Sequence, residues 1–178
     1  MNVRIMSKME CIQYTYSDKV KPCVIISINC PSELPPRLLN HDNIKTVMYL
    51  YFDDIEQRHI ELGSNLKLME EVDVGRIYGL IKLCSEDKEV EEIIVHCHAG
   101  ISRSSAVAAG ICLMLKQDDM WIWEGGYVPN RHVFTMMNSK IGLSKEEIDY
   151  RYEVNHTAHQ KEEYSWINDM SIDIDKFK

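Results

Sequence analysis

Short apolar runs alternate with segments of helical spacing along this sequence, and this alternation restricts the fold more than any other feature. Residues 24–28, 46–52 and 90–96 are rich in apolar and β-branched side chains, and the length of each run is typical of a buried strand. Apolar residues recur at helical spacing over 65–85, and the segment 104–116 is apolar on nearly every side, as in a buried helix. Strands that alternate with helices predict an α/β fold. We expect a three-layer sandwich with a central, mostly parallel (mixed) sheet flanked by helices.

Three further segments carry structural signals. Residues 11–17 alternate between apolar and polar side chains, which predicts a half-exposed strand. The Pro-Asn pair at 129–130 opens a predicted helix that continues to about residue 138. Ser144 and Glu147 have the spacing of a capping box, which predicts the start of another helix. That last helix either packs on the domain before a frayed tail or forms a partner-binding appendage, and the sequence leaves both open.

Composition and charge exclude several classes of function. The chain has 178 residues, 45% of them hydrophobic, which is enough for one domain with a buried core. Its formal net charge of −8 disfavours nucleic acid and membrane partners, because both bind cationic surfaces. The longest apolar run, 106–115, is about half a membrane span, and the first residues lack the pattern of a signal peptide. None of the six cysteines forms a CxxC pair, so we expect free thiols in a reducing compartment, the cytoplasm.

The segment 96–104, with the sequence HCHAGISRS, joins the third of the apolar runs to the buried helix. In parallel sheets a ligand site lies beyond the carboxyl ends of the strands, which is where this segment falls. Backbone N–H groups of such a loop and of the helix start form a cradle for an anion, and the planar guanidinium of Arg103 suits two phosphate oxygens. The same positive field acts on Cys97, and it lowers the pKa of a thiol below its ordinary value of about 8.5.

These residues together predict nucleophilic chemistry at phosphorus. The Cys97 thiolate attacks in line and forms a cysteinyl-phosphate intermediate that water then cleaves, while Arg103 and the loop amides stabilise the charge on oxygen. We expect no metal and no cofactor. A metal site at residues 96–98 is disfavoured because three adjacent side chains cannot converge on one ion.

The same segment resembles the signature HCxxGxxR[ST] of the cysteine-based protein tyrosine phosphatase superfamily, and its AGxSRS form is most similar to the dual-specificity branch. Residues 25–29 resemble the early strand of compact bacterial and phage-type members. Residues 47–54 resemble the strand that leads to the family's acid loop, and 127–131 resemble a Pro-Asn element after the central helix. The resemblance covers roughly residues 20–140. We expect a dual-specificity/tyrosine phosphatase-like catalytic domain over 1–145, followed by a C-terminal helical extension or tail over 146–178.

The resemblance also implies a role for each residue of the signature. Cys97 is then the nucleophile, Arg103 binds the phosphoryl group and stabilises the transition state, and Ser104 donates a hydrogen bond to the departing sulfur. His96 braces the loop and tunes the thiol, and Asn130 holds the loop from behind. The phosphate is cradled by the residues that follow the nucleophile: His98, Ala99, Gly100, Ile101, Ser102 and Arg103.

A general acid must protonate the leaving alcohol, and Asp53 and Asp54 are the two candidates just past the second predicted strand. Neighbouring side chains of an extended chain point to opposite sides, so only one of the two can face Cys97. Matching this strand to the pattern of the family favours Asp54.

The implied function is a protein phosphatase that hydrolyses phosphotyrosine, with phosphoserine and phosphothreonine as further substrates if the pocket is shallow. No Lys or Arg lies between Cys97 and Arg103, which disfavours phosphoinositide and RNA-end substrates. Three alternatives stay open: a rhodanese-like sulfurtransferase, a phosphotyrosine-binding module without turnover, and a structural α/β protein. The expected partner is a phosphorylated protein, and the oligomeric state is open.

Overall fold

The structure, a computed structural model, describes residues 1–55 and 66–169 of the chain. The first residue of the helix predicted over 65–85 and the end of the predicted tail, 170–178, lie outside the described residues. Within the two described ranges the chain forms four strands and six helices. In chain order these are β1 Asn2–Ser7, α1 Lys8–Thr15, β2 Cys23–Asn29, β3 Ile44–Tyr51, α2 Glu71–Glu86, β4 Glu92–Cys97, α3 Arg103–Met114, α4 Met120–Trp123, α5 Arg131–Asn138 and α6 Lys145–Asp169.

The described strands form one sheet in the order β1-β4-β2-β3, and every pairing among them is parallel. Every residue of β2 and of β4 is buried, which is the pattern of strands covered by helices on both faces of a sheet. The predicted α/β sandwich is therefore confirmed, with a sheet that is parallel throughout the described part of the chain. Because the strands run the same way, their carboxyl ends meet at one edge.

Most predicted elements are confirmed with small shifts at their ends. The apolar runs 24–28, 46–52 and 90–96 form β2, β3 and β4, and the apolar segment 104–116 forms α3, of which ten residues from Arg103 to Cys112 are buried. The Pro-Asn pair precedes α5, as predicted, and α2 begins at Glu71, later than the apolar spacing predicts. Neither β1 nor the single turn of α4 has a counterpart among the predicted elements.

The prediction of a strand over 11–17 is wrong, because these residues belong to α1 and to the turn that follows it. The helix begins at a capping box in which Ser7 Oγ accepts from Glu10 N at 3.2 Å and Ser7 N donates to Glu10 Oε2 at 2.7 Å. Cys11 and Thr15, one turn apart, are the buried residues of this helix. Burial therefore follows a helical period here, and the two-residue alternation of side-chain type has no structural counterpart.

The capping box predicted at the start of α6 is confirmed, since Ser144 Oγ accepts from Glu147 N at 3.2 Å and Ser144 N donates to Glu147 Oε2 at 2.8 Å. Further along, Arg151 Nε donates to Asp119 Oδ2 at 2.8 Å, and the same oxygen accepts from the indole N–H of Trp123 at 2.7 Å. These contacts fix α6 against α4. In the described ranges, no helix combines the length and the apolar character needed to cross a membrane.

Candidate active site

Residues 98–102 form the loop between β4 and α3, which we term the signature loop. β4 ends at Cys97, at the carboxyl edge of the sheet, and α3 begins at Arg103. Gly100 has a φ of 76°, a left-handed conformation that glycine adopts without strain. Its N–H donates to Cys97 Sγ at 3.3 Å, so the loop curls around the sulfur atom.

Hydrogen bonds and a nearby cation act on the Cys97 thiol, whose residue is 2% exposed. Burial on its own raises the pKa of Cys97, because it penalises the charged thiolate. The hydroxyl of Ser104, 3.1 Å from Sγ, opposes this effect together with the backbone N–H groups of Ser104 and Gly100 and the charge of Arg103. The balance lowers the pKa of Cys97 below its ordinary value.

Other buried cysteines in the chain show the contrast. Burial raises the pKa of Cys11 to about 12 and the pKa of both Cys23 and Cys112 to about 11. Burial also raises the pKa of Cys84. Among these five buried thiols, only Cys97 has a lowered pKa, because it lies among donors at the sheet edge.

The Arg103 side chain is 4% exposed and forms part of the wall beside the sulfur. Its Nη1 donates to the Phe52 carbonyl oxygen at 2.8 Å and to Cys30 Sγ at 3.4 Å, which fixes the plane of the guanidinium. Its Nε lies 3.9 Å from Asp54 Oδ2 and has no hydrogen-bond partner among the described residues. An unsatisfied buried donor costs about 1–3 kcal/mol, so this N–H is ready to bind an acceptor such as an anionic oxygen.

The two neighbouring aspartates face different surroundings. Asp54 Oδ1 accepts from Ser102 Oγ at 2.7 Å and from Asn130 Nδ2 at 2.9 Å, which places its carboxylate beside the signature loop. Asp53 instead pairs with Lys67: its Oδ2 accepts from Lys67 N at 2.8 Å, and its N–H donates to Lys67 O at 2.7 Å. Asp54 therefore faces Arg103, whereas Asp53 joins the two described ends of the segment between β3 and α2.

Asn130 connects three parts of the site. Its Oδ1 accepts from Val133 N at 3.0 Å and caps α5, and its backbone N–H donates to the Ser102 carbonyl at 3.2 Å. Its Nδ2 donates to Asp54 and to the Ile55 carbonyl oxygen at 3.3 Å. The contact with the signature loop is thus made by the backbone of Asn130, while its side chain holds Asp54.

His96 lies within β4 and is fully buried. Burial lowers the pKa of His96 to about 4, so the imidazole is neutral near pH 7. Its Nδ1 lies 3.3 Å from the Cys97 carbonyl oxygen, and its Nε2 has no partner among the described residues. His96 therefore contacts the backbone of Cys97, at the end of β4 and directly before the signature loop.

Predicted site residues surround a cavity of about 470 Å³. They are Asp54, Cys97, His98, Ala99, Ile101, Ser102 and Arg103. Cys30 and Glu33 also line this cavity, and neither is among the site residues predicted from the sequence. The one sequence signal that could have identified these two residues is their position shortly after β2, whose carboxyl end lies at the same edge of the sheet as Cys97. A larger cavity, of about 690 Å³, lies along α6, and its described lining contains neither a cysteine nor an arginine.

The N-terminal segment braces the signature loop from behind. Lys8 N donates to the His98 carbonyl oxygen at 3.1 Å. A Cβ atom on Gly100 would lie 2.6 Å from Ser7 N and 2.7 Å from the Met6 carbonyl carbon, so the loop packs directly on this backbone. The junction of β1 and α1 therefore fixes the height of the loop above the sheet.

In the described part of the chain, no group of three or more His, Cys, Asp or Glu side chains is arranged to hold a metal ion. The positive charge at the site comes from Arg103 and from the N–H groups around Cys97.

Gly100→Ala tests the close packing of the loop on β1. We expect the variant to lose about 1–3 kcal/mol of unfolding free energy, because alanine is strained at positive φ and its methyl group meets backbone that cannot move aside. Urea unfolding measures this loss.

Gly79→Ala, within α2, is the matched control. Its methyl group has nothing within 4 Å, and alanine favours a helix over glycine, so we expect a gain of about 0.5–1 kcal/mol. Equal stability of Gly100→Ala and the native protein contradicts the bracing described above.

Comparison with known proteins finds similar folds among solved structures and no match at the level of sequence. Neither a protein-family model nor a curated protein sequence matches the chain. A mouse putative dual specificity phosphatase, solved in complex with zinc tungstate, is similar with a TM-score of 0.53 and 12% identity, over 82% of this chain and 86% of that one. Human DUSP28 has a TM-score of 0.47 and 8% identity, over 89% and 94% of the two chains.

A third similar structure is OH1 from the Orf virus, a tyrosine phosphatase with triple substrate specificity. Its TM-score is 0.38 and its identity 17%, over 86% of this chain and 80% of that one. The mouse structure has a TM-score above 0.5, and at 12% identity this similarity shows the fold alone. The chain has the fold of the dual specificity phosphatases, as its signature predicts.

Proposed function

We propose that the protein is a phosphoric monoester hydrolase that removes phosphate from phosphotyrosine in proteins, with phosphoserine and phosphothreonine as further substrates. The observation that carries this proposal is the position of the Cys97 sulfur. The Cys97 thiol has a lowered pKa, and its sulfur lies at a cavity that Arg103 also lines. The buried Nε–H of Arg103 is free to bind an oxygen there. A nucleophile and an oxyanion-binding group at one cavity are what phosphoryl transfer through cysteine requires.

In the first step the Cys97 thiolate attacks phosphorus in line with the ester oxygen. The S–P bond forms, the P–O ester bond breaks, and the leaving oxygen takes a proton from Asp54. Asp54 Oδ1 is occupied by Ser102 and Asn130, which leaves Oδ2 to carry that proton. Arg103 and the N–H groups of the signature loop bind the oxygens that do not leave, as charge grows on them.

In the second step water attacks the phosphorus of the cysteinyl-phosphate. Asp54, now a carboxylate, accepts a proton from the water, the S–P bond breaks, and inorganic phosphate and the thiolate are released. The Ser104 hydroxyl, 3.1 Å from the sulfur, donates to the thiolate as it forms. The same contact that lowers the pKa of Cys97 thus makes its sulfur a better leaving group.

The charges at the cavity and the state of the cysteines support a phosphoprotein substrate inside the cell. The acidic residues Glu33 and Asp54 line the cavity beside Arg103, and the Glu33 carboxylate disfavours ligands with many negative charges, such as phosphoinositides. All six cysteines are free, which fits a reducing compartment such as the cytoplasm.

A panel of phosphate esters tests the proposal. We expect the native protein to turn over phosphotyrosine peptides and p-nitrophenyl phosphate. Cys97→Ser should show no turnover, because its hydroxyl does not ionise near pH 7 and is a poor nucleophile toward phosphorus. Cys97→Ser should still bind phosphotyrosine peptides, since the loop and Arg103 remain. Malachite-green detection of phosphate and calorimetric titration of a peptide measure the two effects.

Two experimental outcomes oppose the proposal, one in that panel and one in a separate thiosulfate assay. Peptide binding by the native protein without release of phosphate identifies a binding module. Transfer of sulfur from thiosulfate to cyanide, without phosphatase activity, identifies a sulfurtransferase. Cys84→Ser is the matched control, because this thiol is buried in the core away from the cavity, and turnover should persist.

Replacement of the general acid separates the two aspartates. Asp54→Asn should lower kcat on alkyl phosphates about 10²-fold or more, and less on aryl phosphates, whose better leaving group needs less protonation. Asp53→Asn should lack this dependence on the leaving group, since Asp53 bonds to Lys67. Steady-state kinetics on phosphoserine and p-nitrophenyl phosphate decide the matter, and the reverse pattern in the two variants contradicts the assignment.

A further inference from the structure

An ion pair lies at the rim of the cavity, and the phosphatase chemistry described above does not use it. Lys8 Nζ lies 2.6 Å from Glu33 Oε2, and the side chains are 19% and 38% exposed. Glu33 lines the cavity that holds Cys97, whereas Lys8 is not among its lining residues. Glu33 therefore borders the space that a substrate enters, and the Lys8 ammonium holds its carboxylate at Oε2.

Both members of the pair are held by backbone contacts at the carboxyl edge of the sheet. Glu33 follows β2 in a turn, with its N–H donating to the Cys30 carbonyl oxygen at 3.0 Å. Lys8 opens α1, with its N–H donating to the His98 carbonyl oxygen of the signature loop at 3.1 Å. The Glu33 carboxylate thus has a defined position relative to the signature loop, unlike that of a freely moving surface side chain.

The carboxylate is ionised and within electrostatic reach of the phosphate site. The hydrogen bond from Lys8 lowers the pKa of Glu33, and the charges of His98 and Arg103 contribute in the same direction. Glu33 and Arg103 line the same cavity, so an anion that Arg103 binds there lies within the electrostatic field of the Glu33 carboxylate.

The charges that line the cavity leave little attraction for a second anionic group. The acidic side chains of the lining are Glu33 and the general acid Asp54, and its basic side chains are His98 and Arg103, of which Arg103 binds the reacting phosphate. The nearby charge of Lys8 is already neutralised by Glu33. A substrate with one phosphate group is accommodated, while a further negative charge close to it meets a carboxylate.

We propose that Glu33 is a specificity-determining residue, which repels a second negative charge next to the scissile phosphate and favours a lysine or arginine there. This inference rests on the proposed phosphatase function. The substrate class it names is a singly phosphorylated protein segment with basic flanking residues. Phosphopeptides that are doubly phosphorylated or flanked by Asp and Glu are disfavoured.

The selectivity ratio tests this role. It is kcat/KM for a phosphotyrosine peptide flanked by lysines, divided by kcat/KM for the same peptide flanked by glutamates. Glu33→Gln should lower this ratio about three- to fivefold, because one partly exposed charge interaction is lost. Lys8→Gln should raise the ratio, because it leaves Glu33 without its neutralising partner. Both changes should shrink at about 1 M salt, where the Debye length is about 3 Å.

Glu89→Gln is the matched control. Glu89 forms a similar pair with Lys45, at 2.7 Å, near the amino end of β4, and its removal changes the net charge of the protein equally. We expect the selectivity ratio of this variant to equal that of the native protein. A shift as large as that of Glu33→Gln would show that overall charge sets the selectivity, and it would overturn the proposal.

Two further results separate this inference from the proposed function. If the native protein hydrolyses the peptides and Glu33→Gln leaves their ratio unchanged, Glu33 has no role in specificity while the phosphatase function stands. If neither peptide is hydrolysed by the native protein nor bound by Cys97→Ser, the phosphatase function and the role of Glu33 are both overturned.

Discussion

The site depends on a thiol that is buried and yet favoured as an anion. Burial alone raises the pKa of a cysteine, as it does for Cys11 and Cys112 in the same fold. Cys97 differs because it ends a strand at the edge of the sheet, where Ser104, Gly100 and Arg103 supply hydrogen bonds and positive charge. The same groups serve the thiolate as nucleophile and as leaving group, so the proposed chemistry follows from the position of one sulfur atom.

The fold could be predicted to the extent that burial determines residue type. β2, β4 and α3 are buried on nearly all sides, so apolar residues make up most of their sequences and indicate where these elements lie. α1 is short and amphipathic, and its alternating apolar and polar side chains imitate a strand. The decisive signal was the spacing of Ser7 and Glu10, which form the capping box at its start. β1 carries only two buried residues and so gives little pattern to detect.

The site was predictable where it is contiguous in the sequence and was missed where the fold assembles it. Residues 96–104 form one segment whose spacing indicates the chemistry, and the structure places Asp54, the favoured acid, beside it. Glu33 and Lys8 are 25 positions apart and meet only because β1 and β2 flank β4 in the sheet. No local pattern marks such a pair. Nor could the sequence separate the surroundings of Asp53 from those of Asp54, since that difference arises from contacts with Lys67 and Asn130.

The rate of Cys97 alkylation by iodoacetamide as a function of pH, followed by mass spectrometry, tests the lowered pKa most directly. We expect a midpoint below the value of about 8.5 that an unstructured thiol shows. Ser104→Ala should shift the midpoint upward, because the hydroxyl no longer stabilises the thiolate. A midpoint at or above the unstructured value, unchanged by Ser104→Ala, would show that the fold does not favour the Cys97 thiolate.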